Sequence, residues 1–309
     1  MPTFCGHFFI LEVKMKRKTG IKKIEPYLYI TPITLILVLF VVGSVLISIT
    51  LAFTKYNIIT PPDFRGIDNY TRLLDDSKFI KALGNTLKLL IYIVPLQMVS
   101  GILMAVFLQA NRKRVLGKIA NCVIFIPFLC SNAVVGVVWR QLLNGKIPPV
   151  EWLFGLFGVE PSMLLGDAET ALFVVAMVAV WKWMGYYTVI YLSGLMSIPE
   201  TCYEAAKVDG AGKLRCFFSI TLPMMKPTII LTLFLCVTTA LRNFELIFNL
   251  TGGGPNNATT DLVMYAYTLC FRSGSSAGYA MAVSNVLFVI VLIIGLMQQR
   301  LLRRETSEL

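Results

Sequence analysis

The chain has 309 residues, of which 56% are hydrophobic and 15% charged, with a net charge of +11. A soluble domain carries about 25% charged residues, so this shortfall, together with long apolar runs, makes lipid the solvent. Alternating segments of about 10 residues, the mark of a transmembrane barrel, are not found, and the runs are read as helices that satisfy their own backbone hydrogen bonds.

A spanning helix needs about 20 mostly apolar residues. Six runs qualify, at residues 27–53, 86–110, 119–139, 171–195, 228–250 and 279–302. The first follows a tail, residues 1–26, that carries Lys14, Lys16, Arg17, Lys18, Lys22 and Lys23. Met15 opens MKRKTGIKK, a second possible start with a cytoplasmic character. The connector after the first run mixes Lys55, Arg65, Arg72, Lys78 and Lys81 with four aspartates. The connector after the second run is NRKRVLGK, and the sixth run leads into QRLLRR and a tail at residues 303–309. The third connector carries Glu151, Glu160, Asp167 and Glu169, and the fifth holds little charge. By the positive-inside rule the basic short segments lie in the cytoplasm. That puts both termini inside and makes the chain a multi-pass protein of a bacterial cytoplasmic (inner) membrane, facing membrane lipid. Basic residues distributed in this way orient spans; they do not make a nucleic-acid face.

Chemistry-bearing residues are few. The only histidine, His7, lies in the tail, so His-based catalysis is not expected. The seven cysteines include no CxxC or Cys/His cluster, so neither a metal site nor a redox motif is expected. Cys130, Cys236 and Cys270 lie in or beside apolar runs, as small hydrophobes do.

The fourth connector, residues 196–227, is long, mixed in charge and rich in helix formers. Pro199 and Glu200 suit a helix start, since proline is tolerated in the first turn and an acid complements the dipole. Ala205 and Ala206 favour helix and add little bulk, so a partner's groove can approach that surface closely. Gly210 and Gly212 then permit a turn, and Pro223 and Pro227 lead into the next run. A short helix held between two turns is expected, suited to moving as a rigid body.

The string IPETCYEAAKVDGAGKLRCFFSITLPMMKP resembles the cytoplasmic EAA signature of ABC importer permeases. Glu204, Ala205 and Ala206 match its start, Gly210 its glycine, and Ile220, Leu222 and Pro223 its end; Asp209 lies beside the glycine. LTGGGPNNATT after the fifth run resembles the sugar branch of that family, which includes the larger maltose-transporter membrane subunit and the glycerol-3-phosphate and multiple-sugar permeases. The resemblance runs from about residue 25 to the end. It implies the type I ABC importer transmembrane fold, all-α with six spans, and a core over residues 80–302. It implies a carbohydrate permease that makes no covalent bond. A second homologous permease, two ATPase subunits docked on the coupling loops and an extracellular solute-binding protein or lipoprotein would complete the importer. No cofactor is expected in this chain; ATP and magnesium would sit on the partner ATPases. A phosphate loop needs G-x-x-x-x-G-K-[ST]. The nearest string, GAGKL, has Lys207 where the first glycine belongs and Leu214 where a hydroxyl must meet magnesium.

Polar groups within the spans carry the remaining signals. Lys88 and Arg140 sit near span ends, where long basic side chains snorkel. Lys182 sits mid-span among Trp181, Trp183, Tyr186, Tyr187 and Tyr191. Trp183 and Tyr187, four apart, share a helix face, and aromatic faces with polar tips suit a sugar ring as well as helix packing. Arg242 and Glu245, three apart, are expected to form a structural ion pair. The resemblance aligns Asn243 with a sugar-contacting asparagine and sets Cys236 and Thr239 at other cavity-facing positions. Two rivals remain open on sequence. A membrane enzyme would need acid/base or metal-binding residues clustered on one face. A secondary transporter would show repeats and broken intramembrane helices, and neither is read here.

Overall fold

The computed structural model describes residues 25–144, 146–272 and 277–306. His7, the basic tail residues 14–23 and residues 307–309 lie outside the described residues. The chain divides into two units, Met1–Ser48 and Ile49–Leu309, considered in turn.

In the first unit, α1 (Glu25–Leu37) contains Pro32 and runs through a widened turn, Val38–Val42, into α2 (Gly43–Ala52), whose last four residues fall in the second unit. Tyr29–Ala52 is long and apolar enough to cross a membrane.

The second unit opens with a small hairpin, β1 (Thr54–Lys55) antiparallel to β2 (Asp63–Phe64), and α3 (Asp68–Asp75). Asp76 starts α4 (Ser77–Ala110), because its Oδ1 accepts from the backbone N–H of Lys78 and Phe79 at 2.9 and 3.3 Å. That cap places the helix start about nine residues before the apolar run begins. Asp167 caps α9 (Ala168–Met196) in the same way through Thr170. The last helix, α16, covers Ala277–Thr306. α4, α9 and α16 are each long and apolar enough to span.

Two runs expected to be single spans are broken. The third is α5 (Val115–Leu129) and α6 (Asn132–Asn144), bent by 101°. Pro127 lacks an N–H in the last turn of α5, Cys130 is extended, and Ser131 Oγ accepts from Val134 N–H to restart the helix. Two short helices follow, α7 (Pro148–Gly155) and α8 (Pro161–Gly166). The fifth run is α13 (Lys226–Ala240) and α14 (Phe244–Leu250), interrupted at residues 241–243. The break follows from Asn243, whose Nδ2 donates to Ala240 O at 2.9 Å and so satisfies a carbonyl at the end of α13. Four helices are long and apolar enough to span alone, and six spans result only if two bent pairs each count as one, α5 with α6 and the segment Lys213–Met224 with α13. The sequence argument that broken helices are missing does not hold, so it cannot separate this fold from a secondary transporter.

The main core lies between α4, α9, α13 and α14, around Leu89, Val175, Tyr187, Tyr191, Leu195 and Ile247. Gly101 lets α4 meet α9 closely, since a Cβ there would lie 3.0 Å from the Tyr191 ring. A second cluster packs α3 and α4 against α15 (Leu262–Tyr267) and α16. It is pinned by Asp76 Oδ2, which accepts from the hydroxyls of Tyr265 and Tyr279. Burial raises the Asp76 pKa, but these bonds and the two backbone N–H bonds outweigh it, and the carboxyl ends below its ordinary value.

Candidate functional site: a coupling loop and a closed cavity

The 196–227 segment folds as expected into a short helix between turns. Pro199 stands at the N-cap and Glu200 in the first turn of α10 (Glu200–Val208). Asp209 follows as the C-cap, and Gly210 has φ +75°, the left-handed region that favours glycine. Gly212 has φ −70° and ψ 166°, extended backbone open to any residue. The chain returns through α11 (Lys213–Cys216), a widened turn at Phe217–Thr221 that includes Ile220, and α12 (Leu222–Met224) with Pro223. This return meets α13 at 69°. Tyr203 and Thr221 share a hydroxyl hydrogen bond of 2.9 Å, which ties α10 to the return.

The faces of α10 differ from the expectation at one residue. Glu204, Ala205, Lys207 and Val208 are exposed, whereas Ala206 is buried at 9% exposure. Ala206 follows Tyr203 by three positions, and both point towards their own chain. The surface open to a partner is thus built on Ala205 and Val208, and Ala206 seats the helix. A groove of about 560 Å³ lies between α10 and the ends of α4 and α9, lined by Val106, Leu195, Tyr203, Lys207 and Phe217.

Trp183, Tyr187, Cys236, Thr239 and Asn243, widely spaced in sequence, line one cavity with Ile93, Gln97, Ala179 and Ala240. The cavity measures about 10 Å³, room for no more than about one water. Tyr187 donates its hydroxyl hydrogen to Thr239 Oγ1 at 3.0 Å, and Thr239 donates to Leu235 O at 2.8 Å. Asn243 has its amide nitrogen committed to Ala240 O. Trp183 belongs to an aromatic group, with its ring centroid 5.5 Å from Phe128 and 5.8 Å from Tyr186. The lining contains no carboxylate, imidazole or amine. Rings, hydroxyls and amides of this kind can hold C–H faces and hydroxyls.

Other expectations resolve differently. Arg242 and Glu245 do not pair; among the described residues the only ion pair is Arg65 with Asp63. The reason is the break itself: Arg242 lies in the turn and Glu245 in the first turn of α14, so the helical spacing of three residues is lost. Lys182 is 3% exposed and does not line the cavity. Its Nζ lies 4.8 Å from the Trp183 ring centroid and 5.9 Å from that of Phe128, a cation–π environment. Lys88 and Arg140 are exposed. Gln97, also in the cavity lining, carries no charge to mark it in the sequence; its signal is a polar residue in the middle of the second apolar run.

At the far end of the bundle from α10, the LTGGGPNNATT segment folds onto α4. Asn85 Nδ2 donates to the carbonyls of Asn257 and Thr260 at 3.0 and 2.9 Å, and Lys81 Nζ to that of Asn256 at 2.7 Å. Gly253 has φ +89°. Asp261 caps α15 through Met264 N–H at 2.7 Å. Burial pushes its carboxyl up to about 6, although the backbone hydrogen bonds act in the other direction.

Comparison with known proteins fits this geometry. Residues 97–306 match the model for the binding-protein-dependent transport system inner membrane component. The multiple sugar-binding transport system permease protein MsmF of Streptococcus mutans is 37% identical over 78% of this chain and 82% of its own. The trehalose/maltose transport system permease protein MalF of Thermococcus litoralis is 31% identical over 86% and 89%. A chain from the crystal structure of a bacterial ABC transporter importing the acidic polysaccharide alginate superposes with a TM-score of 0.79 at 25% identity, covering 92% of this chain and 97% of that one. With the family model covering well over half its length, this chain belongs to the inner membrane components of binding-protein-dependent transport systems.

Proposed function

We propose that this chain is the permease subunit of an ATP-driven importer that carries a carbohydrate across the cytoplasmic membrane. The observation that carries the reading is the single cavity formed by Trp183, Tyr187, Cys236, Thr239 and Asn243, in a chain whose relatives are named for sugars. The alginate importer has also been solved with a substrate-loaded periplasmic protein, which supports delivery of substrate by a binding protein here.

In this reading both termini and α10 face the cytoplasm, as the basic short segments favour. Two separate ATPase subunits dock, one on the exposed Ala205–Val208 side of α10 and one on the equivalent helix of a second permease chain. ATP and magnesium act on those subunits. Closure of the ATPases pushes α10 as a body, and the groove of about 560 Å³ behind it leaves room for that displacement. The two permeases then rock between inward-facing and outward-facing states, and the cavity opens to accept sugar from the binding protein. The work of this chain is differential stabilisation of two states.

The test is uptake of the sugar bound by the cognate binding protein. Trp183→Ala and Asn243→Ala should each lower uptake while the permease pair and its ATPases still co-purify. Normal uptake in both variants would reduce these residues to packing and remove the cavity from the pathway.

A further inference from the structure

Gln97 sits in the interior of α4 with 1% exposure, yet neither Nε2 nor Oε1 has a protein hydrogen-bond partner. It lines the same cavity as Trp183, Tyr187, Thr239 and Asn243. Tyr187 and Thr239 have their hydroxyl hydrogens bonded, and Asn243 has its nitrogen bonded, to protein acceptors. The Gln97 amide brings two donor hydrogens and two acceptor lone pairs and uses none of them within the protein. A buried amide without partners is costly, and folded proteins keep few such groups. A leucine would fill this position without that cost. The cavity of about 10 Å³ also excludes a sugar ring, so the amide meets one only when α4, α9 and α13 separate.

We infer that Gln97 is a substrate-reading residue: in the opened cavity it donates to and accepts from neighbouring hydroxyls of a carbohydrate, and its unmet bonding bias works against the closed cavity. The inference rests on the reading of this cavity as part of the sugar path. It assigns Gln97 a role that differs between two states, which is what allows a ligand to shift an equilibrium. An amide side chain reads hydroxyls without charge, so the selectivity at this point is for neutral hydroxylated groups.

The experiment uses the whole transporter, with ATPases and loaded binding protein, in proteoliposomes. Gln97→Leu should give a complex at least as thermally stable as wild type, with uptake down about tenfold and ATPase stimulation by loaded binding protein reduced towards the unstimulated level. Gln97→Asn, which keeps the amide one methylene shorter, should recover part of both. Wild-type uptake and stimulation in Gln97→Leu would overturn the inference. So would a lower thermal stability of that variant or failure to assemble, because either makes the role structural. Trp183→Ala and Asn243→Ala run alongside: if these keep full uptake, the cavity reading fails, and if they lose it while Gln97→Leu does not, only the Gln97 assignment fails.

Discussion

Tyr203 on α10 and Thr221 on the return towards α13 meet through a hydroxyl–hydroxyl bond of 2.9 Å, across 18 residues of chain. That bond closes the loop between the helix and the span it leads into. It ties α10 to the return that leads into the base of α13, whose other end carries Thr239 and the break at Asn243.

The two alanines of the loop should separate by experiment. Ala205→Arg alters only the exposed face of α10, so the permease should accumulate normally while the ATPase retained on purification and the uptake both fall. Ala206→Asp buries an unpaired charge, which commonly costs several kcal/mol, and should lower the amount of permease itself. If Ala205→Arg retains wild-type ATPase and uptake, this face of α10 is not the docking surface.

Gly210 provides a test of backbone geometry alone, because a Cβ there meets no atom within 4 Å while φ is +75°. Left-handed backbone costs an ordinary residue about 1–2 kcal/mol, and asparagine is among the residues that tolerate it. Gly210→Val should therefore reduce uptake, and Gly210→Asn should stay near wild type. Equal uptake in the two would remove the turn from the coupling argument.

Topology follows from labelling. In a background lacking the exposed Cys122 and Cys130 and the other native cysteines, a cysteine at Lys207 should be shielded from an impermeant thiol reagent in intact cells. One at Asn256, in the segment at the other end of the bundle, should react. Labelling of the first from outside would invert the orientation.

Asp261 predicts a pH dependence. Its native pKa of about 6 stands above the ordinary 3.8, so the native state holds a proton that the unfolded chain has released. The stabilising contribution is complete below the unfolded value and is lost as pH rises through about 6. Relative to Asp261→Asn, the wild-type complex should lose at most about 3 kcal/mol between acid and neutral pH, read from melting temperatures. Parallel pH profiles would show that the group does not titrate there.

Much of this was legible in the sequence. The apolar runs predict α4, α9 and α16, and the residues of the fourth connector predict a short helix and a turn at Gly210 and Gly212, of which only Gly210 takes the left-handed region. Trp183 and Tyr187, marked by their shared helix face, line one cavity with Cys236, Thr239 and Asn243, which the resemblance set at cavity-facing positions. The breaks were not legible, because hydropathy does not register how a side chain bonds its own backbone: Asn243 ends α13 with one amide, and Ser131 restarts α6 with one hydroxyl. The Arg242–Glu245 pair failed for the same reason, since its spacing assumed an unbroken helix. Ala206 was placed on the wrong face because the motif identifies a segment and not its rotation.

The anchoring of the LTGGGPNNATT segment also has a consequence for biosynthesis. Asn85 is buried near the start of α4, but the carbonyls it binds lie 172 and 175 residues later. Thr86 Oγ1 likewise accepts from Leu262 N–H, 176 residues on. Until the fifth connector has been made, Asn85 lacks both carbonyls it binds in the folded protein, while Thr86 has only its bond to Ala82 O within α4. The head of α4 thus takes its last contacts only after the fifth connector emerges, so a chain truncated before Asn257 lacks them even though most of its spans are already made.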